Sequence, residues 1–201
     1  LADTRENHRR LSREEKTIQN IPIAEARKNA RQSIGHTSAD QPIIADGHQT
    51  ELYHPGVWVK RILAQVVAGR MNASALHLAV DSDAPKHLYL RWPGVSLPIT
   101  DDPELSRAHW SGLLKPPSSA PLEELNRKLA GATFAQPPAA PQFLALLAQH
   151  SHVGENLSSA ITQAQQALDE TLSLHVRSLL ARPVWESDAF LLMAHHVIAR
   201  A

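Results

Sequence analysis

The chain has 201 residues, and its 43% of apolar side chains are enough to bury the core of one ordinary domain. Twenty Lys and Arg residues balance twenty Asp and Glu residues, which argues against a broad electrostatic surface for DNA or RNA. The absence of cysteine excludes disulfide bonds, thiolate zinc sites and a cysteine nucleophile, and it fits a cytosolic (cytoplasmic) protein.

Residues 1–22 form an N-terminal arm dominated by charge, which we expect to be either mobile or a solvated helix. The arm is too charged for a signal peptide, and no apolar run approaches the roughly 18–20 residues of a membrane span. Residues 23–34 predict a helix that stops at Gly35. The chain begins with Leu1 and stops on an apparent helix, so we expect it to be a piece of a longer protein.

A strand, a helix and a second strand follow within about forty residues, which is the pattern of two adjacent parallel strands. The first strand is IIAD (43–46), and the helix runs from Val57 to Ala68 with Pro55 before its first turn. The second strand is ALHLAV (75–80), and it ends in Asp81-Ser82-Asp83. The helix is amphipathic, and its apolar face consists of Val59, Ile62, Leu63, Val66 and Val67.

The remaining elements are a hairpin and several helices. HLYLRW and VSLPI read as hairpin strands joined at Pro93-Gly94, and two short helices follow, PLEELNRKLAG and PQFLALLAQH. The longest helix is predicted from Glu155 to Arg182, with a stripe of Leu157, Ile161, Ala164, Leu168 and Leu172 that Val176 and Leu179 continue. A last helix begins at Ser187 or Asp188.

These elements predict an α/β fold. We expect a Rossmann-like, mainly parallel sheet flanked by helices, with a hairpin and a helical C-terminal portion that includes one long helix. The expected organisation is an arm (1–22), the α/β domain (23–150) and a helical segment (151–201).

Residues 46–60 carry the groups that suggest a ligand site. Gly47 lets the backbone turn after the strand, and Gly56 lets a ligand approach the helix start, where free N–H groups and the helix dipole favour an anion. Two histidines would supply an acid or a hydrogen-bond donor, and a lysine would add positive charge. The alternative is a capped surface loop. The candidate residues are His48, His54 and Lys60 for catalysis, and Asp46, Gly47, Gln49, Pro55 and Gly56 for binding a nucleotide or substrate.

Asp81 and Asp83 form the second candidate cluster. Carboxylates at the carboxyl end of a parallel strand commonly hold Mg²⁺ against substrate phosphates, and metal-dependent sugar transferases use an Asp-x-Asp after a strand in this way. The alternative is an aspartate that caps the turn into the hairpin. No HExxH, P-loop, GxGxxG or Gly-x-Ser-x-Gly motif occurs in the sequence.

The order of these motifs over residues 23–95 resembles the N-terminal part of the bacillithiol-synthesis cysteine-adding enzymes, a family of cysteine ligases. That family has a strand leading into Gly-Gln-Gln, an aromatic-Thr-Gly-Pro segment, a helix with a lysine, and a strand ending in an acidic cluster. The resemblance implies a Rossmann-like core similar to that of nucleotidylyltransferases. The residues at comparable positions are Gly47, Gln49, Pro55 and Lys60, with Asp81 and Asp83 in place of the acidic cluster.

The leading functional hypothesis is therefore a ligase-like or nucleotidyl-transfer-like enzyme that binds a nucleotide or another phosphorylated small molecule. The expected cofactor is ATP, ADP or another nucleotide with Mg²⁺, and the expected partner is a small-molecule substrate rather than nucleic acid or a membrane. One alternative is a metal-dependent sugar transferase that uses Asp81 and Asp83. The other is a non-catalytic interaction module that forms a homo-oligomer through the long helix.

Overall fold

A computed structural model describes residues 2–36, 38, 41–52, 55–85, 88–92, 95–104, 109–131 and 139–200. The helices are α1 (Ala2–Ser12), α2 (Ile23–Ser33), α3 (Pro55–Met71), α4 (Ser119–Ala130), α5 (Ala139–Ser151), α6 (Leu157–Thr171), α7 (Arg182–Trp185) and α8 (Asp188–Ile198), with a 3₁₀ turn at Ser111–Leu113. The strands are β1 (Thr17–Ile18), β2 (Ile21–Pro22), β3 (Ile43–Gln49), β4 (Ser74–Val80), β5 (Tyr89–Trp92), β6 (Val95–Pro98) and β7 (Arg177–Leu180).

The centre of the molecule is a three-stranded parallel sheet in the order β3-β4-β7. Ile43 pairs with Ser74 at one end of the β3–β4 ladder, and Gln49 pairs with Val80 at the other. The helix α3 connects these two strands, so the predicted strand-helix-strand unit is confirmed. The α/β class and a parallel sheet flanked by helices are confirmed with it.

The third strand corrects the prediction of one long helix over 155–182. The helix α6 begins at Leu157, where the Asn156 side chain accepts a hydrogen bond from the Ser159 backbone N–H. It ends at Thr171, and Ser173 then adopts a left-handed φ of 59°. The chain turns back into β7, which pairs with β4 from Leu76↔Arg177 to Ala79↔Leu180. The apolar spacing through Val176 and Leu179 therefore continues in a strand, not in a helix.

Predicted elements before and after the 155–182 segment are confirmed. The helix α2 ends before Gly35, whose φ of 65° only glycine adopts readily. The strands β5 and β6 pair antiparallel as a hairpin. Ser187 caps α8 by accepting a hydrogen bond from the Phe190 backbone N–H. Of the two alternatives for the first residues, the structure has the solvated helix, because the side chains of α1 are exposed or half-exposed.

The main apolar core lies between α4, α5, α6 and the residues that flank the hairpin. Helix α6 directs its stripe into this core, where Leu157 and Leu168 are fully buried and Ile161 is 2% exposed. Leu172, the last residue of the predicted stripe, is 52% exposed, and the expected homo-oligomer stays a prediction. The other large buried side chains of this cluster are Leu88, Ile99, Leu122, Leu125, Leu129, Phe143, Leu144 and Leu147.

Helix α3 packs through a face that differs from its apolar stripe. Val59 and Leu63 on the stripe are 60% and 59% exposed, whereas Ala64 and Ala68 are buried. Arg61, on the same buried face, has a side chain with no exposed surface and forms an ion pair with Asp169 of α6, with Nη2 and Oδ2 2.5 Å apart. This ion pair thus joins the buried face of α3 to α6. No helix in the described ranges is both long and apolar enough to cross a membrane.

Candidate functional site

The strand β3 extends three residues further than predicted, and this changes where its polar side chains point. Asp46, Gly47, His48 and Gln49 are strand residues, whereas the sequence placed the last three in a loop. Alternate residues of a strand face opposite sides of the sheet. Asp46 and His48 therefore point to one side, and Gly47 and Gln49 to the other.

Asp46 belongs to a buried polar contact within the sheet. Its Oδ1 lies 2.8 Å from Nδ1 of His77, the residue that it faces on β4, and the Asp46 side chain is 10% exposed. Burial lowers the pKa of His77, and the nearby charge of Arg61 lowers it further, although the hydrogen bond to Asp46 raises it. Asp46, a predicted ligand-binding residue, is therefore paired with His77 within the sheet. The sequence showed His77 only as an isolated histidine in a strand.

His48 lies at the carboxyl end of β3 and is paired with Glu51. Its Nδ1 is 3.2 Å from Oε1 of Glu51 and 3.3 Å from the backbone oxygen of Gln49. The side chain of His48 is 24% exposed and that of Glu51 only 6%. Sequence reasoning missed Glu51, although its position three residues after His48 in a strand-to-loop turn is a weak signal of the contact.

Lys60 reaches β3 rather than the first turn of its own helix. Its Nζ donates to the backbone oxygen of Gly47 at 3.1 Å, and the ammonium group remains exposed. Gly47 also meets the neighbouring strand closely, because an added Cβ would lie 3.1 Å from the backbone oxygen of Leu78. The lysine thus ties α3 to β3 at the strand's carboxyl half.

Gln49 and Asp83 join the two candidate clusters. The Gln49 amide donates to Oδ2 of Asp83, and Oδ1 of Asp83 accepts the backbone N–H of Ala84. The predicted closeness of the carboxyl ends of β3 and β4 is therefore present as a direct side-chain contact.

Asp81 has a different partner from Asp83. It is 3% exposed, and its Oδ1 accepts the backbone N–H of Arg182 at 2.8 Å, so it caps α7 after the third strand. Among the residues that the structure describes, no group of three or more His, Asp or Glu side chains is arranged to hold a metal ion. The two carboxylates therefore have separate partners, and a Mg²⁺ site at Asp81 and Asp83 stays a prediction.

The 3₁₀ turn braces the loop that follows β4. The backbone N–H groups of Ser111 and Gly112 donate to the backbone oxygens of Asp83 and Asp81, both at 2.9 Å. Ser111 also lies within a buried triangle of hydroxyls with Thr50 and Ser158, at Oγ distances of 2.7 to 3.3 Å. These contacts hold the end of β3, the loop after β4 and the start of α6 together, and no local sequence motif indicates them.

The start of α3 completes the edge. Pro55 and Gly56 are exposed and occupy its first positions, so the helix begins two residues before the predicted start at Val57. His54 lies outside the described residues. The structure thus brings Gln49 and Asp83 into contact, whereas His48 lies on the opposite side of β3 and is paired with Glu51. Asp46 faces His77, and Asp81 accepts the backbone N–H of Arg182.

No family model matches the chain, and neither a curated protein nor a solved structure is similar to it. The function is therefore inferred from the residues at the carboxyl edge of β3 and β4.

Proposed function

We propose that the protein is a ligase-like or nucleotidyl-transfer-like enzyme that binds a nucleotide or another phosphorylated small molecule where β3 leads into α3. The observation that carries this proposal is the parallel β3–α3–β4 unit, whose carboxyl edge holds His48, the Gln49–Asp83 contact and the N-terminus of a 17-residue helix. Open α/β sheets bind ligands outside the carboxyl ends of their strands, and helix N-termini attract phosphate.

Each group at this edge has a distinct role in the proposal. The first-turn N–H groups and the dipole of α3 attract phosphate oxygens. The exposed ammonium group of Lys60 adds positive charge and can exchange the Gly47 carbonyl for a phosphate oxygen. His48 exchanges a proton with the reacting ligand, His54 remains a proposed second donor, and the Gln49 amide holds the ligand's polar edge.

The proposal includes no step through a metal ion, because Asp81 is buried as the cap of α7. Asp83 is exposed and is the carboxylate that a Mg²⁺–nucleotide could approach. The sugar-transferase alternative needs both carboxylates on one cation. It therefore predicts binding of a nucleotide-sugar that requires Mg²⁺ or Mn²⁺ and is lost in Asp81→Asn.

A thermal-shift screen against ATP, ADP, CTP and UDP-sugars, each with and without Mg²⁺, tests the proposal. A ligand at about 100 times its dissociation constant adds about 2.7 kcal/mol of stability, which is a measurable shift. We expect a shift with an adenine or cytidine nucleotide that is lost in His48→Ala. The control is His152→Ala, since His152 is exposed after α5 and should leave the shift unchanged.

Three outcomes contradict the proposal, and the first is the absence of a shift with any nucleotide. A shift only with a UDP-sugar and metal supports the transferase instead. A nucleotide shift that is equal in the wild type and in His48→Ala places the ligand elsewhere on the molecule.

A further inference from the structure

The pair formed by His48 and Glu51 determines which nitrogen of the imidazole carries a proton. Nδ1 of His48 faces two oxygens, Oε1 of Glu51 at 3.2 Å and the backbone oxygen of Gln49 at 3.3 Å. A backbone carbonyl and an ionised carboxylate only accept hydrogen bonds. Nδ1 must therefore be the donor, and in the neutral imidazole the lone pair lies on Nε2.

We infer that Glu51 is a positioning residue that holds His48 in the Nδ1–H form and thereby makes Nε2 the base of the proposed site. This inference rests on the proposed function, because it requires a ligand that gives up a proton at the carboxyl edge of β3. It also deepens that function, because the resting His48 then receives a proton before it can donate one.

The location of Glu51 supports a positioning role. Its side chain is 6% exposed, so water screens its charge weakly, and it lies two residues beyond β3 where the chain turns toward α3. The neighbouring residue Thr50 is buried and fixed by the hydroxyls of Ser111 and Ser158. The turn that brings the carboxylate back to His48 is therefore held in place at Thr50 by these two hydroxyls.

The chemical step balances within this pair and the ligand. An O–H or N–H bond of the attacking group breaks, its proton forms an N–H bond at Nε2, and the freed electron pair attacks the phosphorus atom of the phosphorylated ligand. The bond from phosphorus to the leaving group breaks, and the leaving group departs with the electron pair of that bond. The imidazolium is stabilised by the Glu51 carboxylate, and it then returns the proton to the leaving group.

Long-range ¹H–¹⁵N spectra of the histidine rings test the inference without any ligand. At about pH 8, where an ordinary imidazole is neutral, we expect His48 to be mainly in the Nδ1–H form in the wild type. Glu51→Leu should lower the ratio of Nδ1–H to Nε2–H by about tenfold or more, because it removes the charged oxygen that faces Nδ1. Glu51→Gln keeps an acceptor oxygen and should preserve the Nδ1–H form.

The matched control is Glu123→Leu, the same substitution at an exposed carboxylate of α4, which should leave the His48 spectrum unchanged. A wild-type His48 mainly in the Nε2–H form overturns the inference without any variant that must fold. An unchanged ratio in folded Glu51→Leu overturns it as well. The spectra use the free protein, so a failure of nucleotides to shift the melting temperature contradicts the proposed function separately.

Discussion

The buried imidazole of His77 makes the stability of the protein depend on pH. Burial lowers its pKa below the ordinary value of 6.5, so the folded state stays neutral at a pH where the unfolded chain already binds a proton. Stability is therefore fully present above about pH 6.5 and decreases as the pH falls from there toward the folded pKa.

Urea unfolding between about pH 8 and pH 5 measures this dependence as a shift of the midpoint. In His77→Gln the fall should be smaller, because the titrating group is gone, even where the variant is less stable at every pH. His152→Gln, at an exposed histidine, should keep the wild-type slope. Equal slopes in the wild type and in His77→Gln would show that another group causes the pH dependence.

Gly112 is the second residue whose environment leads to a prediction. A Cβ at this position would lie 3.0 Å from the backbone oxygen of Asp81 and 3.3 Å from the Asp81 side chain. Gly112→Ala should therefore push the 3₁₀ turn away from the loop after β4 and cost about 1–3 kcal/mol of unfolding free energy.

Gly69 provides a matched control for that substitution. It lies inside α3 with nothing within 4 Å of an added Cβ, so Gly69→Ala should be stabilising by roughly 0.5–1 kcal/mol. Chemical denaturation of both variants gives the two free-energy changes. A Gly112→Ala protein as stable as the wild type would mean that the 3₁₀ turn does not hold the Asp81–Asp83 loop.

At this scale the sequence predicted the residue types near the site better than their contacts. It placed the loop after the first strand beside the Asp81–Asp83 cluster, because the carboxyl ends of adjacent parallel strands meet at one edge. It did not reveal the His48–Glu51 pair, because that contact depends on how the chain turns after Gln49. It also could not distinguish Asp81 from Asp83, since the N–H group that Asp81 caps lies about a hundred residues away.

At the scale of elements, α3 has an exposed apolar face, whereas the apolar face of α6 is buried. Leu168 of α6 is 0% exposed, whereas Leu63 of α3 is 59% exposed. The same substitution should therefore have very different costs: about 2–5 kcal/mol for Leu168→Ala, because it opens a cavity, and less than about 0.5 kcal/mol for Leu63→Ala.

Urea unfolding of the two variants at a fixed, low protein concentration compares these costs. Repeating the Leu63→Ala measurement at about a tenfold higher concentration checks that no association of copies adds to the difference. Equal costs for the two leucines would mean that the outward face of α3 is buried in solution.

The sequence predicted most elements because their signals are local. Helix caps such as Ser187, and the strand-helix-strand spacing of residues 43–80, appear within a few residues of the element they define. The strand β7 was missed for the opposite reason. Its residues Arg177–Leu180 continue a helical spacing, and only pairing with β4, about one hundred residues earlier, makes them a strand.

At the scale of the whole molecule, one buried ion pair connects the first crossover to the third strand. Arg61 of α3 pairs with Asp169 of α6, and its Nη2 also donates to the backbone oxygen of Val176 and to Oγ of Ser178, at 3.3 and 3.2 Å. Trp58 donates its indole N–H to Oδ1 of Asp169 at 2.8 Å. The pair therefore spans α3, α6 and β7 at a point with no exposed side-chain surface.

Breaking this pair on one side should destabilise the whole fold. In Asp169→Asn the guanidinium of Arg61 would stay buried without its counter-charge, at an expected cost of about 3–5 kcal/mol. Replacing both partners, as in Arg61→Met with Asp169→Leu, removes both charges from the interior, so the double variant should regain most of that loss. Urea unfolding of the wild type, Asp169→Asn and the double variant, followed by tryptophan fluorescence and circular dichroism, measures the three stabilities. It also shows whether the unfolding transitions seen by the two probes coincide.

The double variant distinguishes two explanations of how the Arg61–Asp169 ion pair stabilises the packing of α3, α6 and β7. If the ion pair contributes mainly by avoiding a lone buried charge, the double variant unfolds near the wild-type midpoint in one transition. If its directional hydrogen bonds are needed to position β7 against β4, the double variant is as unstable as Asp169→Asn, and its two probes separate because β7 loosens first. We expect the first result, because a lone buried charge costs more than replacing both partners of a buried ion pair by apolar side chains.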